Sequence, residues 1–264
     1  MTALKTVRSR ANPVFRSLRR LKESARERRR ENLAILDGAH LIEDYAVRSG
    51  VPKLLAVSAN ALAMPEIRRL LEKLGSVNTV VLEPQLFQEI APVTTPSGIL
   101  AVIPIPASRP TALDVDCCVL LEEIQDPGNL GAILRTAAAA GARQALLSKG
   151  CADAWSPRVM RGAMGAHHTL AICEHADLVE FARSYRGRVV AADARATTRI
   201  FDLDLRGPTA FAMGNEGAGL SVALLKAVHM RASIPMAPGV ESLNVAAAAA
   251  ICLFERVRQL KTGQ

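Results

Sequence analysis

Aromatic side chains are scarce. Phe, Tyr and Trp number six, two and one, only 3% of the chain. That excludes broad stacking of bases on aromatic platforms as the main way of holding a nucleic acid. Cysteines are few and unpatterned. Cys117, Cys118, Cys151, Cys173 and Cys252 include no C-x-x-C pair. They fall mostly in apolar runs and read as buried, reduced thiols of a cytoplasmic protein. His167 and His168 are adjacent. Neighbours point apart on a regular element and make a poor metal pair, so no metal is expected. Long apolar runs are missing too. "LNVAAAAAICLF" is too short to cross a bilayer, and the basic N-terminus has no apolar core of signal-peptide type.

What is present is a hydrophobic, basic chain. Of 264 residues, 50% are hydrophobic and 22% charged. This composition suits a soluble globular protein of one large or two modest domains, not a disordered one. The net charge is +8 and the isoelectric point about 9.7, which favours polyanionic partners. The excess is concentrated. The first thirty residues hold Lys5, Arg8, Arg10, Arg16, Arg19, Arg20, Lys22, Arg26, Arg28, Arg29 and Arg30 against Glu23 and Glu27. Either this is a solvated, partly disordered tail, or it is an RNA-contacting face. The second reading is favoured, with Arg16, Arg19, Arg20, Arg28, Arg29 and Arg30 as its candidates.

The apolar pattern alternates helix and strand. In residues 1–105, "PVFRSLRRLKES", "AHLIEDYAVRSG", "MPEIRRLLEKLG" and "PQLFQEI" read as helices. "NLAILDG", "KLLAVSA", "NTVVLE" and "GILAVIPI" read as short strands. This predicts a small α/β/α domain. Pro-rich "PIPASRPTALD" then breaks the periodicity and places a linker at 106–113. Residues 114–264 resume the alternation. It predicts an α/β domain with a parallel sheet and ligands at the C-terminal ends of its strands. Three loops there combine Gly with polar residues: "QDPGNLG", "MGNEGAGL" and "PMAPGVESLN".

The loop in "PTAFAMGNEGAGLS" looks at first like a phosphate cradle. The order Gly214-x-x-Gly217-x-Gly219 does not match a dinucleotide fingerprint, and no G-K-[ST] follows. Glu216 would set a carboxylate where phosphates need donors. A carboxylate and an Asn beside a glycine turn suit a neutral or cationic ligand better, such as a purine or a sulfonium. The glycines would let backbone approach it closely.

Together, "NLGAILRTAAAAGA", "FAMGNEGAGL" and "IPMAPGVESLNVAAAAAICLFE" resemble the three signature motifs of the SpoU-type (TrmH family) RNA ribose 2′-O-methyltransferases, in order and in separation. The resemblance implies a deep C-terminal trefoil knot, S-adenosylmethionine as cofactor and a homodimer formed through the knotted domain. It implies that the first domain resembles the small ribosomal-protein-like RNA-binding domain of many members. Matched position by position, Gly214, Ile234 and Leu243, with Met236 and Glu216, fall at cofactor-binding places. Arg135 falls at the catalytic arginine, with Asn129, Glu216, Ser242 and Asn244 as polar partners. The stretch "SPRVMRGAMGA" departs from the family's R-A-S-x-G-A pattern at Gly162 and Ala163. Arg161 remains as a possible phosphate contact.

The chemistry implied is in-line transfer of a methyl group to a ribose oxygen. The 2′-OH is a weak nucleophile that must lose its proton as the bond forms. A guanidinium is no ordinary base, its pKa being above ~12. Arg135 is therefore expected to stabilise the alkoxide and clamp a phosphate, or to pass the proton on through phosphate or water. Glu216 would orient Arg135 or the target nucleotide. Asn129 and Asn244 would hold the arginine and the ribose. Ser242 would cap the Ala-rich helix or touch substrate. The expected substrate is structured RNA, with 23S rRNA favoured over tRNA. A non-catalytic RNA-binding assembly or resistance factor of the same fold is the alternative. A nicotinamide-linked dehydrogenase fails on the glycine order.

Overall fold

The computed structural model describes residues 5–93, 95–107 and 111–262. Three residues of the expected linker, 108–110, lie outside that range. By its contacts the chain divides into two compact units. Residues 155–168 group with residues 1–107, while 108–154 and 169–264 form the second unit. The sequence reading kept 114–264 as one stretch. The segment 155–168 belongs by packing to the first unit because Val159, Met160 and Ala163 bury their side chains there.

The first unit is built on a five-stranded sheet of order β1-β4-β3-β5-β2. Its strands are β1 (Lys5–Val7), β2 (Leu33–Asp37), β3 (Leu54–Ser58), β4 (Thr79–Leu82) and β5 (Ile99–Pro104). Strands β1, β4 and β3 pair in parallel, and β5 runs antiparallel to both β3 and β2. Helices α1 (Pro13–Glu23), α2 (Ala25–Glu31), α3 (Ala39–Arg48), α4 (Pro65–Lys73), α5 (Pro84–Ile90) and α7 (Pro157–Ala163) belong to the same unit. Helix α1 starts where Pro13 fixes φ and Asn12 accepts the Val14 N–H at 2.9 Å. Phe15, Leu18 and Leu21 recur at helical spacing and are buried. So the basic segment from Lys5 onward is folded onto a core of Val7, Leu82, Phe87 and Ile90, not left as a tail. Helix α2 was not foreseen. "ARERRRE" has no apolar stripe, and its start is set by Ser24, which accepts the Glu27 N–H at 3.2 Å.

The second unit carries a six-stranded, all-parallel sheet of order β11-β9-β10-β6-β7-β8. Its strands are β6 (Cys117–Leu121), β7 (Gln144–Leu147), β8 (Ala171–Cys173), β9 (Arg188–Ala192), β10 (Thr209–Met213) and β11 (Met230–Ala232). The central strands β6 and β10 are buried along their whole length. This explains their unbroken apolar runs, as covered parallel strands have no wet face. The helices are α6 (Pro127–Ala139), α8 (Leu178–Ser184), α9 (Val222–Ala227) and α10 (Val245–Thr262). Small side chains let α10 lie against α6 and β10, with Ala249 fully buried. Because β9, β10 and β6 are neighbours running the same way, the loops after them leave from one edge.

The five cysteines are all free thiols. Four are buried and Cys151 is half-buried. Burial pushes the Cys117 thiol up to about 11, leaving it protonated and inert near neutrality. His167 packs at a tilt against Trp155 and His168 against Tyr45, with ring centroids 4.9 and 5.8 Å apart. The two imidazoles thus serve different neighbours. Among the described residues, no helix is long and apolar enough to cross a membrane.

Candidate active site

The loop after β10 folds upon itself. Asn215 and Gly219 exchange backbone hydrogen bonds of 3.0 and 2.9 Å. The Asn215 side-chain oxygen accepts the N–H groups of Gly217 and Ala218 at 2.9 Å, and its amide donates to the Glu123 carbonyl at 3.0 Å. Asn215 is therefore spent on shaping its own loop. A Cβ on Gly214 would fall 2.3 Å from the Gly219 carbonyl carbon and 2.5 Å from the Leu220 nitrogen. Gly219 itself has φ +71°, a region that favours glycine. These two glycines are demanded by the turn before any ligand is considered.

Glu216 faces outward from that turn. One carboxylate oxygen accepts the Asn129 amide at 3.0 Å, and the backbone N–H groups of Gln125 and Asp126 approach the carboxylate at 3.4 Å. Burial raises its pKa, but the hydrogen bonds from Asn129 and the backbone outweigh that and hold it below the usual carboxylate range. Asn129 sits in the first turn of α6. Asp126 sets its place by accepting its N–H at 2.8 Å, and Pro127 opens the helix. The Asn129 side-chain oxygen in turn accepts the Asn244 amide at 2.9 Å. Asn244 then caps α10, accepting the N–H groups of Ala246 and Ala247 at 2.9 and 3.3 Å. Glu216, Asn129 and Asn244 thereby form a chain that stitches three loops together.

Two expectations change. Helix α10 is capped by Asn244, not by Ser242, since the helix starts at Val245. Glu216 holds Asn129 and the α6 entry, and the asparagines hold each other; no bond from any of the three to Arg135 is found among the described residues. Arg135 lies six residues beyond Asn129, about 9 Å along the helix axis. It is exposed, and its guanidinium has no hydrogen bond or ion pair among the described residues.

A cavity of about 590 Å³ opens beside the turn. Gly214, Glu216, Ile234, Met236, Ser242 and Leu243 line it. Asn129, Arg135 and Asn244 lie outside its lining. Glu216 is thus common to the cavity and to the side-chain chain. Asp193, Arg195 and Glu241 also line the cavity and were missed. The available signal was position. "AADARAT" ends a strand of the parallel sheet in a polar loop, as the three chosen loops do.

Comparison with known proteins settles the family. The SpoU rRNA methylase profile matches residues 116–254, more than half of the chain. The chain belongs to the SpoU rRNA methylase family. An MRM3-like substrate-binding domain profile matches residues 12–101 of this SpoU methylase. An uncharacterized tRNA/rRNA methyltransferase of Synechocystis is 30% identical over 96% of this chain and 94% of its own. The 23S rRNA (guanosine(2553)-2′-O)-methyltransferase RlmP of Bacillus subtilis is 28% identical over 95% of this chain and 98% of its own. The crystal structure of an AdoMet-bound rRNA methyltransferase from Sinorhizobium meliloti superposes with a TM-score of 0.82. It is 29% identical, covering 97% of this chain and 98% of that one.

The arginines of this methylase's first unit divide by burial and pairing. Arg16 and Arg29 are exposed. Arg19, Arg20 and Arg30 are exposed but face Glu23 at 3.0 Å and Glu27 at 3.7 and 2.6 Å. Arg28 departs from the RNA-face expectation. It is buried, and its guanidinium donates to the Leu21 carbonyl at 2.6 Å and the Lys22 carbonyl at 3.1 Å. That locks the α1–α2 corner. Arg161 donates at 2.5 Å to Asp37, whose other carboxylate oxygen accepts the Ser97 hydroxyl at 2.7 Å. The Asp37 side chain is wholly buried while Arg161 keeps 44% exposure. Arg161 is first of all the counter-ion of a buried carboxylate.

Proposed function

We propose that this SpoU methylase transfers the methyl group of S-adenosylmethionine to a ribose 2′-OH of 23S rRNA. The observation that carries the reading is the double role of Glu216. It lines the cavity and anchors the Asn129–Asn244 chain. Ligand site and candidate chemistry therefore share one residue. The 23S assignment leans on RlmP, whose name specifies that RNA.

The residues fit the cofactor. The volume lies within the roughly 300–1,000 Å³ of small-molecule pockets. Ile234, Met236 and Leu243 offer apolar surface to a purine nucleoside, while Glu216 and Glu241 favour a cation over an anion. S-adenosylmethionine held there supplies an electrophilic methyl carbon on a positively charged sulfur. Gly214, Ile234 and Leu243 would hold the nucleoside from their backbones. Glu216, kept ionised, matches positive charge and fixes the entry of α6. Arg135 carries a planar cationic fork with no hydrogen bond or ion pair among the described residues. That suits it to stabilise the developing 2′-alkoxide and to clamp the neighbouring phosphate. The exposed arginines of the first unit would hold the RNA backbone. The same reading includes the knotted C-terminal topology, a cytoplasmic location and a homodimer. Exposed Phe254 and Leu260 on α10 support the last.

The test is transfer of labelled methyl from S-adenosylmethionine to ribosomal RNA, with the modified nucleotide mapped. Arg135→Ala should lower transfer by about a hundredfold or more, with cofactor affinity by calorimetry unchanged. Undiminished transfer by that variant would remove Arg135 from the chemistry.

A further inference from the structure

The cavity's charges are unequally committed. Three carboxylates line it, those of Asp193, Glu216 and Glu241. Among the described residues Arg195 is the one cation in the lining. Asp193 is bound to the Arg231 guanidinium and to the Arg195 N–H, the latter at 2.9 Å. Glu216 is bound to Asn129. Glu241 and the Arg195 guanidinium have no hydrogen bond or ion pair among the described residues. Several other arginines of the unit are tied up. Arg199 pairs with Asp202 at 2.7 Å, Arg206 with Asp204 at 2.8 Å and Arg258 with Glu255 at 2.7 Å. The Arg195 backbone is nevertheless well fixed. Asp193 accepts its N–H, and the Asp193 N–H bonds the Ala232 carbonyl at 2.9 Å. A fixed backbone thus carries at the cavity wall a guanidinium that makes no hydrogen bond or ion pair among the described residues, although its charge reaches the Asp193 carboxylate.

We propose that Arg195 recognises the carboxylate, and Glu241 the ammonium, of the amino-acid end of the methyl donor. The inference rests on the S-adenosylmethionine reading above. The donor is cationic at sulfur but zwitterionic at its amino-acid end. A lining of carboxylates alone would suit the sulfonium and repel the carboxylate. One free guanidinium resolves that conflict, and its planar fork matches a carboxylate bidentately. Arg195 is a specificity residue for the cofactor, not a participant in methyl transfer.

The experiment is calorimetry with S-adenosylmethionine and with its decarboxylated analogue, which keeps the sulfonium nucleoside and the amine. Wild type should favour S-adenosylmethionine by about ten- to a hundredfold, the span of a charge-assisted pair. Arg195→Ala should erase that preference by weakening S-adenosylmethionine alone, and Arg195→Lys should restore part of it. Glu241→Gln should weaken both ligands alike, because both carry the ammonium. Arg195 is exposed, so an unchanged melting temperature of Arg195→Ala checks that the fold is intact. A wild type without preference, or a preference that survives in Arg195→Ala, overturns the assignment of Arg195 and leaves the cofactor reading standing. A wild type that binds neither ligand overturns both.

Discussion

The Glu216–Asn129–Asn244 chain can be tested by a double-mutant cycle. Asn129→Ala removes two hydrogen bonds, one from its amide to the Glu216 carboxylate at 3.0 Å and one from the Asn244 amide at 2.9 Å. Each is partly exposed, so about 1 kcal/mol apiece is a fair weight. If the ordering of the three loops is what catalysis needs, the loss of about 2 kcal/mol lowers kcat/KM about thirtyfold. Asn244→Ala removes one of the same bonds and the cap of α10, the cap being worth about 1 kcal/mol of stability. The double variant loses the shared bond only once. It should therefore be about fivefold more active than the product of the single effects, a coupling of about 1 kcal/mol. The assay is methyl transfer to ribosomal RNA over a range of concentrations, with melting temperatures recorded in parallel. The cap's share should appear in the melting temperature of every variant carrying Asn244→Ala. Additivity of the kcat/KM effects within about 0.3 kcal/mol would refute the linkage.

Two other outcomes follow from the geometry. Gly214→Ala forces a Cβ into the Gly219 and Leu220 backbone, so calorimetry should show loss of cofactor binding and thermal melting a destabilisation of about 1–3 kcal/mol. Arg28→Ala and Arg16→Ala should separate stability from binding: the buried Arg28, with its two carbonyl bonds, should cost about 1.5–3 kcal/mol in thermal unfolding. The exposed Arg16 should leave melting unchanged but reduce the slope of RNA affinity against salt by about one.

Much of the architecture was legible because apolar runs report burial directly. "CCVLL" and "TAFAM" lack alternation since β6 and β10 are covered on both faces. Phe15, Leu18 and Leu21 announced α1 by spacing. Helix α2 was not legible, because "ARERRRE" is held by the Ser24 cap and by the buried Arg28, neither of which makes a periodic pattern. Arg28 also looks chemically identical to Arg29 beside it. Only the packing of α1 against α2 buries one and exposes the other.

The candidate site divides along the same line. The three motifs, read in order, determined the family, the loops that matter and the polar residues within them, because those are properties of short segments. Partnership was not a property of any segment. Asn129 and Glu216 are 87 residues apart, and Asn244 lies 115 beyond Asn129. Asn129 and Glu216 meet because β6 and β10 pair in parallel, which carries the loops after both strands to one edge of the sheet, and Asn244 joins them because α10 packs on α6. That pairing set Glu216 beside Asn129 instead of Arg135, and the parallel pairing of β10 with β9 brings Asp193 and Arg195, from beyond β9, to the cavity. Local chemistry can be read along a chain, but which charges are left unspent depends on neighbours that only tertiary structure supplies.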